Sequence, residues 1–407
     1  MPLEKPAAAP PSLRQALADF GGLYAANALV AFIFAASGPL AIMLSVGTRG
    51  GMGESDLASW IFGAFFVNGL ISIAFCWIYR QPLVFFWSIP GIVLVGPALG
   101  HLRFPEIVGA YLACGLLMLV LGLSGWVKRF MDAVPMPIVM AMVAGVFLQF
   151  GLGWIKALGQ APWIAVPMTA VFVLLSVDGR VARRFPPMIG VLAVGIAAVI
   201  FTGAFHPAAD FHYAFTLPGT FRPAFSWAAM VELVLPLAVT VLAAQNAQGI
   251  AILRNARHNP PVNTITAACG AVSLITAIVG SVSTCLTGPV NAILASDGHA
   301  ERQYTGAVAI GILAILFGFH SLLFTKFLLA MPAAFIATLA GLALVRVLQA
   351  AFTVSFGGGF TLGALVSFLV TLNGQTLFNI GAPFWGLVFG FAVSWLLERK
   401  DFEAGSP

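Results

Sequence analysis

Residues 283–293 read STCLTGPVNAI, and they lie in a stretch with no acidic or basic residue between His258 and Asp297. Hydroxyl, thiol and amide side chains and a Gly-Pro step therefore stand where a membrane-spanning helix would be continuously apolar. In hydrocarbon every backbone N–H and C=O group needs a partner, so broken helix is tolerated only where it is buried in protein or lines a cavity. The stretch predicts an internal site in a membrane protein.

The composition of the whole chain points the same way. Of the 407 residues, 60% are hydrophobic and 8% are charged, with a mean hydropathy of +1.00. Ordinary soluble domains are about 25% charged, so the composition predicts a polytopic membrane protein. The net charge of +5 is interpreted as topology signals beside the spans, and no nucleic-acid partner is expected. The four cysteines lack metal-site spacing, so neither a disulfide framework nor a metal site is predicted.

Apolar stretches long enough to cross or enter a bilayer recur along the chain. Two of them, 83–100 and 283–296, are short and interrupted by Pro-Gly or Gly-Pro. The fourteen predicted segments are 22–46, 57–78, 83–100, 107–125, 134–154, 162–177, 188–204, 228–252, 263–280, 283–296, 304–324, 328–348, 359–373 and 378–397.

The Lys and Arg residues predict the orientation. With the N-terminus in the cytoplasm, fourteen of them fall on the cytoplasmic side of these segments and five on the other side. This positive-inside bias predicts a cytoplasmic N-terminal tail (1–19), a cytoplasmic C-terminal tail (399–407) and a multi-pass protein of a bacterial-type inner membrane.

A shift of 197 residues brings similar landmarks into register. Pro90-Gly91 aligns with Thr287-Gly288, so the two interrupted segments match, and Gly109-Ala110 aligns with Gly306-Ala307. Arg129 aligns with Lys326, yet the charge count puts these two residues on opposite membrane faces. The sequence therefore predicts seven segments followed by seven inverted ones, an architecture typical of secondary transporters.

The two interrupted segments predict a substrate site. Each is interpreted as a short extended strand followed by a half-helix, starting near Gly91 and near Gly288, with unpaired N–H groups and a partial positive charge that suit an anion. Gln245 and Asn246 would line the cavity opposite. Phe85, Phe86 and Trp87 would suit a flat apolar body. The simpler alternatives are that Gly-Pro only kinks a helix and that the amides only join helices.

An enzyme is not predicted. Gly122-Leu123-Ser124-Gly125 matches the GxSG pattern of intramembrane serine proteases, but a nucleophile needs a base within hydrogen-bond reach. Because Lys128 and Arg129 follow it, this motif is interpreted as a helix-end turn. Neither a catalytic residue nor a cofactor is expected.

Three motifs resemble the benzoate/proton symporter family of the BenE type. They are QNAQGIAILR (245–254) followed by Pro260-Pro261-x-Asn263, CLTGPVNAI (285–293) and WSIPG (87–91), where Ile89 replaces the usual Thr. The resemblance implies the fold of uracil, nucleobase-ascorbate and sulfate transporters. It implies a core formed by 20–127 (segments 1–4) and 227–325 (segments 8–11). It also implies a gate formed by 128–226 (segments 5–7) and 326–398 (segments 12–14).

The resemblance also implies the function. Uracil-type relatives carry a Glu in segment 8 where this chain has Gln245 and Asn246, which favours a carboxylate substrate over a nucleobase. We expect an all-α polytopic protein that takes up benzoate or a related aromatic carboxylate with protons. The alternatives are a nucleobase or inorganic-anion transporter of the same fold and an anion channel. A homodimer is left open.

Substrate-binding residues are expected in the two interrupted segments and in segment 8. They are Phe86, Trp87, Ser88, Ile89, Gly91, Gln245, Asn246, Thr284, Cys285, Leu286, Thr287, Gly288 and Asn291, with Ser37, Gly38 and Gln248 as a second tier. Replacing Gln245 or Asn246 by Ala is expected to weaken uptake and leave expression intact.

Overall fold

Helices surround one short two-stranded sheet. The computed structural model describes residues 3–127, 129, 135–177, 187–206, 215–296 and 298–404. In chain order the elements are α1 (Leu13–Asp19), α2 (Gly22–Ala36), α3 (Gly38–Arg49), α4 (Glu54–Tyr79), β1 (Phe85–Trp87), α5 (Ile89–Ala98), α6 (Phe104–Ser124), α7 (Met136–Gln160), α8 (Pro162–Val177), α9 (Pro187–Phe201), α10 (Trp227–Asn255), α11 (Val262–Ile278), β2 (Thr284–Leu286), α12 (Gly288–Leu294), α13 (Ala300–Phe319), α14 (Ser321–Leu329), α15 (Ala333–Phe356), α16 (Thr361–Asn373), α17 (Ala382–Leu397) and α18 (Arg399–Ala404).

The apolar helices agree with a multi-pass membrane protein. Within the described residues, seven helical stretches are long and apolar enough to cross a membrane, and the first of them runs from Gly22 to Arg49 through the junction of α2 and α3. Six further apolar helices are 10–17 residues long. The count of fourteen segments stays a prediction, as does the inverted relation of the two halves.

Four predicted segments differ from the structure by five residues or more. Two of them, 134–154 and 328–348, continue further, to Gln160 in α7 and to Phe356 in α15. Segment 22–46 is broken at Ser37, whose φ of −104° and ψ of −95° leave the helical region. Segment 304–324 ends early, at Phe319, and α14 follows after His320. The break at His320 depends on a distant residue, because the hydroxyl of Thr216 accepts hydrogen bonds from the Leu322 N–H (2.8 Å) and the Ser321 hydroxyl (3.0 Å).

The two strands lie antiparallel where the interrupted segments cross. Their register pairs Phe85 with Leu286, Phe86 with Cys285 and Trp87 with Thr284. The short strand predicted in each interrupted segment is confirmed. The half-helix α12 starts at Gly288 as predicted, but α5 starts at Ile89, two residues before Gly91. It starts early because the Ser88 hydroxyl caps it by accepting a hydrogen bond from the Gly91 N–H (3.1 Å).

The register has a further consequence for the predicted repeat. Trp87 and Thr284 lie directly opposite each other, and their numbers differ by 197, the shift that aligns the two halves. Backbone hydrogen bonds extend the ladder on both sides of this pair, from Ser88 N to Ser283 O (3.0 Å) and from Thr287 N to Val84 O (3.2 Å). A local two-fold axis through the Trp87–Thr284 pair therefore relates the two strands.

The longer helices pack in two sets. In one set α6 lies along α11, α4 along α13, and α12 against α2. In the other set α7 lies along α15 and also contacts α16 and α17, while α8 contacts α9 and α15. The contacts between the sets include α3 against α15 and α5 against α7.

The N-terminal tail is attached to the start of α11. The Glu4 carboxylate accepts hydrogen bonds from the backbone N–H groups of Asn263 (3.0 Å) and Thr264 (2.9 Å). The Tyr79 hydroxyl donates to the Glu4 carbonyl (2.8 Å). Partial burial raises the pKa of Glu4, but the two N–H donors outweigh it and the net pKa lies below its ordinary value.

We expect acid to release this tail. A carboxylate with a lowered pKa stabilises the docked tail fully above its unfolded pKa, and that contribution is lost as the pH falls from the unfolded pKa through the lowered folded pKa. After correction for the pH dependence of intrinsic amide exchange, hydrogen–deuterium exchange of a peptide covering 262–266 should show strong protection at neutral pH and weak protection in acid, and Glu4→Ala should weaken the protection at both. Glu301 is exposed, and Glu301→Ala is the control that should leave the exchange of this peptide unchanged. Slow exchange in Glu4→Ala at neutral pH contradicts the prediction.

Candidate functional site

Polar side chains from two helices, α4 and α11, satisfy backbone groups of the two buried strands. The Ser72 hydroxyl accepts from Phe85 N (2.8 Å) and donates to Phe85 O (3.1 Å). The Ser273 hydroxyl accepts from Thr284 N (2.9 Å). Buried backbone groups need such partners, so α4 and α11 fix the position of the strands through these hydroxyls.

Two predicted substrate ligands, Asn246 and Asn291, belong to this support. The Asn246 Oδ1 accepts a hydrogen bond from Leu286 N (2.7 Å). The Asn291 amide bonds both backbone groups of Val84, accepting from its N–H (3.0 Å) and donating to its C=O (3.2 Å). Both side chains are buried. Their amides hold the strands, so we expect Asn246→Ala to lower the stability of the fold as well as uptake.

The starts of the two half-helices differ. At α5, the Gly91 N–H already donates a hydrogen bond to the Ser88 hydroxyl. The first residue of this helix, Ile89, is partly buried. At α12, the Thr287 side chain makes no capping bond. The first N–H groups of a helix have no acceptor within it, so those of Gly288 and Val290 need one from elsewhere.

Gln245 and Gln248 carry the amides least engaged with the protein. Gln245 is 8% exposed, and the one hydrogen bond of its side chain to the described residues is weak, from the Cys285 thiol to Oε1 (4.0 Å). Gln248 is exposed, and its side chain lies over Gly288. Gly249, one turn after Gln245, lies against Leu286. Gln245 lies in a π-helical turn of α10, Thr240–Asn246, a feature frequent at functional sites.

Aromatic rings form one wall beside β1. Phe86 and Trp87 are buried, and both contact the ring of Phe65, with centroids 5.5 Å and 4.7 Å away. Phe65 lies in another π-helical turn, Gly63–Val67 of α4. The indole Nε1 of Trp87 is buried and has no acceptor among the described residues, so the wall adds an unused N–H donor to its apolar surface.

Three other predicted residues lie in different surroundings. The Thr284 hydroxyl donates to Asn68 Oδ1 (2.8 Å), so it belongs to the hydrogen bonds that hold the strands in place. Ser37 donates to the Phe34 carbonyl of its own helix (3.0 Å). Gly38 lies against Ala343 of α15 and Met188. Gly38 is thus a point of close approach between the two sets of helices.

Sequence reasoning missed Asn68, Ser72 and Phe65. Asn68 and Ser72 are polar residues at i and i+4 within an apolar segment, which places them on one helix face and could have indicated a buried polar contact. No comparable signal distinguishes Phe65 from the many other phenylalanines.

The electrostatics of the site come from amides, hydroxyls and helix ends. Residues 84–98, 240–253 and 283–296 contain no acidic or basic residue. In the described part of the chain, no group of three or more His, Cys, Asp or Glu side chains could hold a metal ion. The arrangement can donate hydrogen bonds to an anion and pack against a flat ring.

A family model described as "Benzoate membrane transport protein" matches residues 22–396. The chain belongs to this family. A benzoate membrane transport protein of Acinetobacter baylyi is 28% identical over 382 residues, which cover 91% of this chain and 94% of the relative. The inner membrane protein YdcO of Escherichia coli strain K12 is 29% identical over 354 residues, which cover 86% and 89%. Within the benzoate transport family this chain is a membrane transporter, and the resemblance found in the sequence is confirmed.

The fold of this family member is similar to solved anion transporters. The transmembrane domain of the cyanobacterial bicarbonate transporter BicA has a TM-score of 0.60 at 14% identity, covering 90% of this chain and 97% of the other. SLC26A9 has a TM-score of 0.63 at 13% identity, covering 91% and 64%. These likenesses establish the fold alone. The fold shared with nucleobase-ascorbate transporters stays a prediction.

Proposed function

We propose that this protein takes up benzoate or a related aromatic carboxylate together with protons, by alternating access, across a bacterial inner membrane. Membership of the benzoate transport family and the name of the Acinetobacter relative support the substrate class. The observation that carries the proposal is the crossing point of the interrupted segments, which combines unpaired donors, an aromatic wall and no acidic side chain.

The bound carboxylate would accept hydrogen bonds from several donors around the crossing point. They are the amide of Gln245, the hydroxyls of Ser88 and Thr287, the indole N–H of Trp87 and the N–H groups at the half-helix starts. The ring of the substrate would pack beside Phe86 and Trp87, with Ile89, Cys285 and Leu286 as apolar neighbours. Asn246, Thr284 and Asn291 would act by holding the strands in place.

We propose the predicted division into core and gate as the moving parts. The core is 20–127 with 227–325, and the gate is 128–226 with 326–398, although the boundary at 325/326 falls inside α14. The two sets of packed helices support this division. The two-fold relation at Trp87 and Thr284 supports an inverted repeat of seven plus seven segments, and the Lys and Arg bias supports cytoplasmic termini.

Uptake by proteoliposomes tests the function. With an inward proton gradient we expect saturable accumulation of labelled benzoate that a protonophore abolishes. Protein-free liposomes are the necessary control, because neutral benzoic acid crosses bilayers unaided. Absence of protein-dependent, gradient-dependent accumulation would refute proton-coupled uptake.

The same preparation separates the alternatives. Competition by uracil, sulfate or bicarbonate, with benzoate inert, would favour a nucleobase or inorganic-anion transporter. The bicarbonate alternative is retained because of the fold shared with BicA. Current without saturable, coupled accumulation would identify an anion channel.

A further inference from the structure

Glu232 is an acidic residue buried within a membrane-spanning helix. Among the described residues it is the only buried Asp, Glu, Lys or Arg, and 3% of its side chain is exposed. It lies in a π-helical turn of α10, Met230–Val234. Ionisable side chains in membrane spans are costly and are usually retained for function with a specific partner. Glu232 belongs neither to the proposed substrate site nor to the side chains that hydrogen-bond the two strands.

The partner of Glu232 is His101, in the turn after α5. Its Nε2 lies 2.8 Å from Glu232 Oε2, and its Nδ1 lies 3.2 Å from the carbonyl oxygen of Pro97. A carbonyl oxygen can only accept, so Nδ1 carries a proton. Neutral imidazole has one N–H, and Nε2 would then face the carboxylate with a lone pair. If both ring nitrogens are hydrogen-bonded in this arrangement, the pair holds a second proton, either on Nε2 or on the carboxyl group.

The other carboxylate oxygen reaches the second set of helices. Glu232 Oε1 is buried, and the backbone N–H of Gly381 is the donor that faces it among the described residues. It lies against Gly381, the N-cap residue of α17, where a Cβ atom would overlap it. Because α10 is in the proposed core and α17 in the proposed gate, Glu232 and Gly381 form a contact between core and gate. This contact is called the outer seam. The charge count places this seam on the outer side of the membrane.

No second acid–base pair competes for this proton within the described residues. The helices packed against the π-helical turn are α5, α6 and α17, and α5 and α17 contain no titratable residue. On α6, Glu106 is paired with Arg103 (3.5 Å), and Tyr111 and Cys114 are buried. The segment preceding α10 contributes Arg222, and Arg254 is at the far end of α10.

We propose that His101 and Glu232 form a proton-binding site that holds core and gate together at the outer seam. With the second proton bound, the pair is hydrogen-bonded and fits into the closed seam. When that proton leaves to the outer solution, a buried carboxylate faces a lone pair and needs hydration, so the seam opens. A proton taken from outside is then required for closure. This inference deepens the proposed function and uses its core–gate division.

Accessibility of a cysteine at the seam tests the proposal without any substrate. Ile380 precedes Gly381 and is 8% exposed, and the native cysteines are all buried. We expect Ile380→Cys to be labelled slowly by a membrane-impermeant maleimide at acidic pH, after correction for the pH dependence of the reagent. The fraction open should rise with pH by at most about tenfold per unit, as one titrating proton allows. Protein without the added cysteine gives the background.

Two further variants decide the outcome. Glu232→Gln is neutral at every pH and should keep Ile380→Cys protected throughout, whereas Glu106→Gln, the matched control, should leave the pH dependence unchanged. The proposal is overturned if labelling is independent of pH in the parent, or if Glu232→Gln keeps the parent's pH dependence. Failure of benzoate uptake with an intact pH response would instead refute the proposed substrate and leave the proton site standing.

Discussion

Replacing Gln245 by Ala should lower uptake efficiency by roughly ten- to a hundredfold, with little change in the stability of the fold. A hydrogen bond to a charged group contributes about 1.5–3 kcal/mol, and each 1.4 kcal/mol is about tenfold in binding. The Gln245 amide has no strong partner in the described protein, so its removal leaves the protein's own hydrogen bonds intact. Gln245→Glu should be more severe, because it would oppose the substrate carboxylate with a second one. Initial uptake rates over a range of benzoate concentrations measure both.

The neighbouring residue provides the contrast. Asn246→Ala leaves the buried Leu286 N–H without its acceptor, which costs about 1–3 kcal/mol of stability. We expect a lower thermal unfolding temperature in detergent, in contrast to Gln245→Ala. Asn255→Ala, at an exposed position near the end of α10, is the control. Normal transport by Gln245→Ala would show that this part of α10 does not bind the substrate.

Gly38→Ala should disable transport through steric conflict between core and gate. A Cβ atom at Gly38 would overlap the Cβ atom of Ala343 on α15 and come within 3.2 Å of Met188 Cε. Overpacking of this kind costs about 1–3 kcal/mol, which corresponds to roughly a five- to 150-fold loss of the conformation with this contact. Initial uptake rates and thermal unfolding, measured together, separate a shift between conformations from misfolding.

A second substitution should reverse the effect. Ala343→Gly removes the opposing methyl group, so the double variant Gly38→Ala/Ala343→Gly should recover most of the uptake. Ala343→Gly alone carries the helix penalty of glycine, about 1 kcal/mol, and serves as the matched control. If the double variant transports no better than Gly38→Ala, the conflict with Ala343 is not the cause of the loss.

Much of the architecture could be predicted from local chemistry. An apolar composition with few charges requires a membrane, and Gly-Pro at bilayer depth requires a broken helix with protein or a cavity around it. These requirements hold whatever the rest of the chain does. The strands and half-helices were therefore predicted to within two residues. The family motifs, QNAQG and CLTGPVNAI, predicted the family that the comparison confirms.

The roles of individual polar residues could not be predicted in this way. Gln245 and Asn246 are adjacent amides in one apolar helix, and composition cannot tell which one is occupied by a strand edge. Asn291 was expected beside the substrate, yet its amide is used by Val84, 207 positions earlier in the chain. Glu232 lies near the start of α10, and only the fold shows that it is buried against Gly381.

By itself the sequence determined a polytopic membrane protein with two interrupted segments, because hydropathy and backbone breaks are local properties, and its motifs indicated the family. Only the tertiary structure decided which donors remain unused, which hold the strands and which meet the second set of helices. A hydrogen-bonding group in a membrane protein takes whichever partner the fold brings within about 3 Å, and here those partners are distant in the chain.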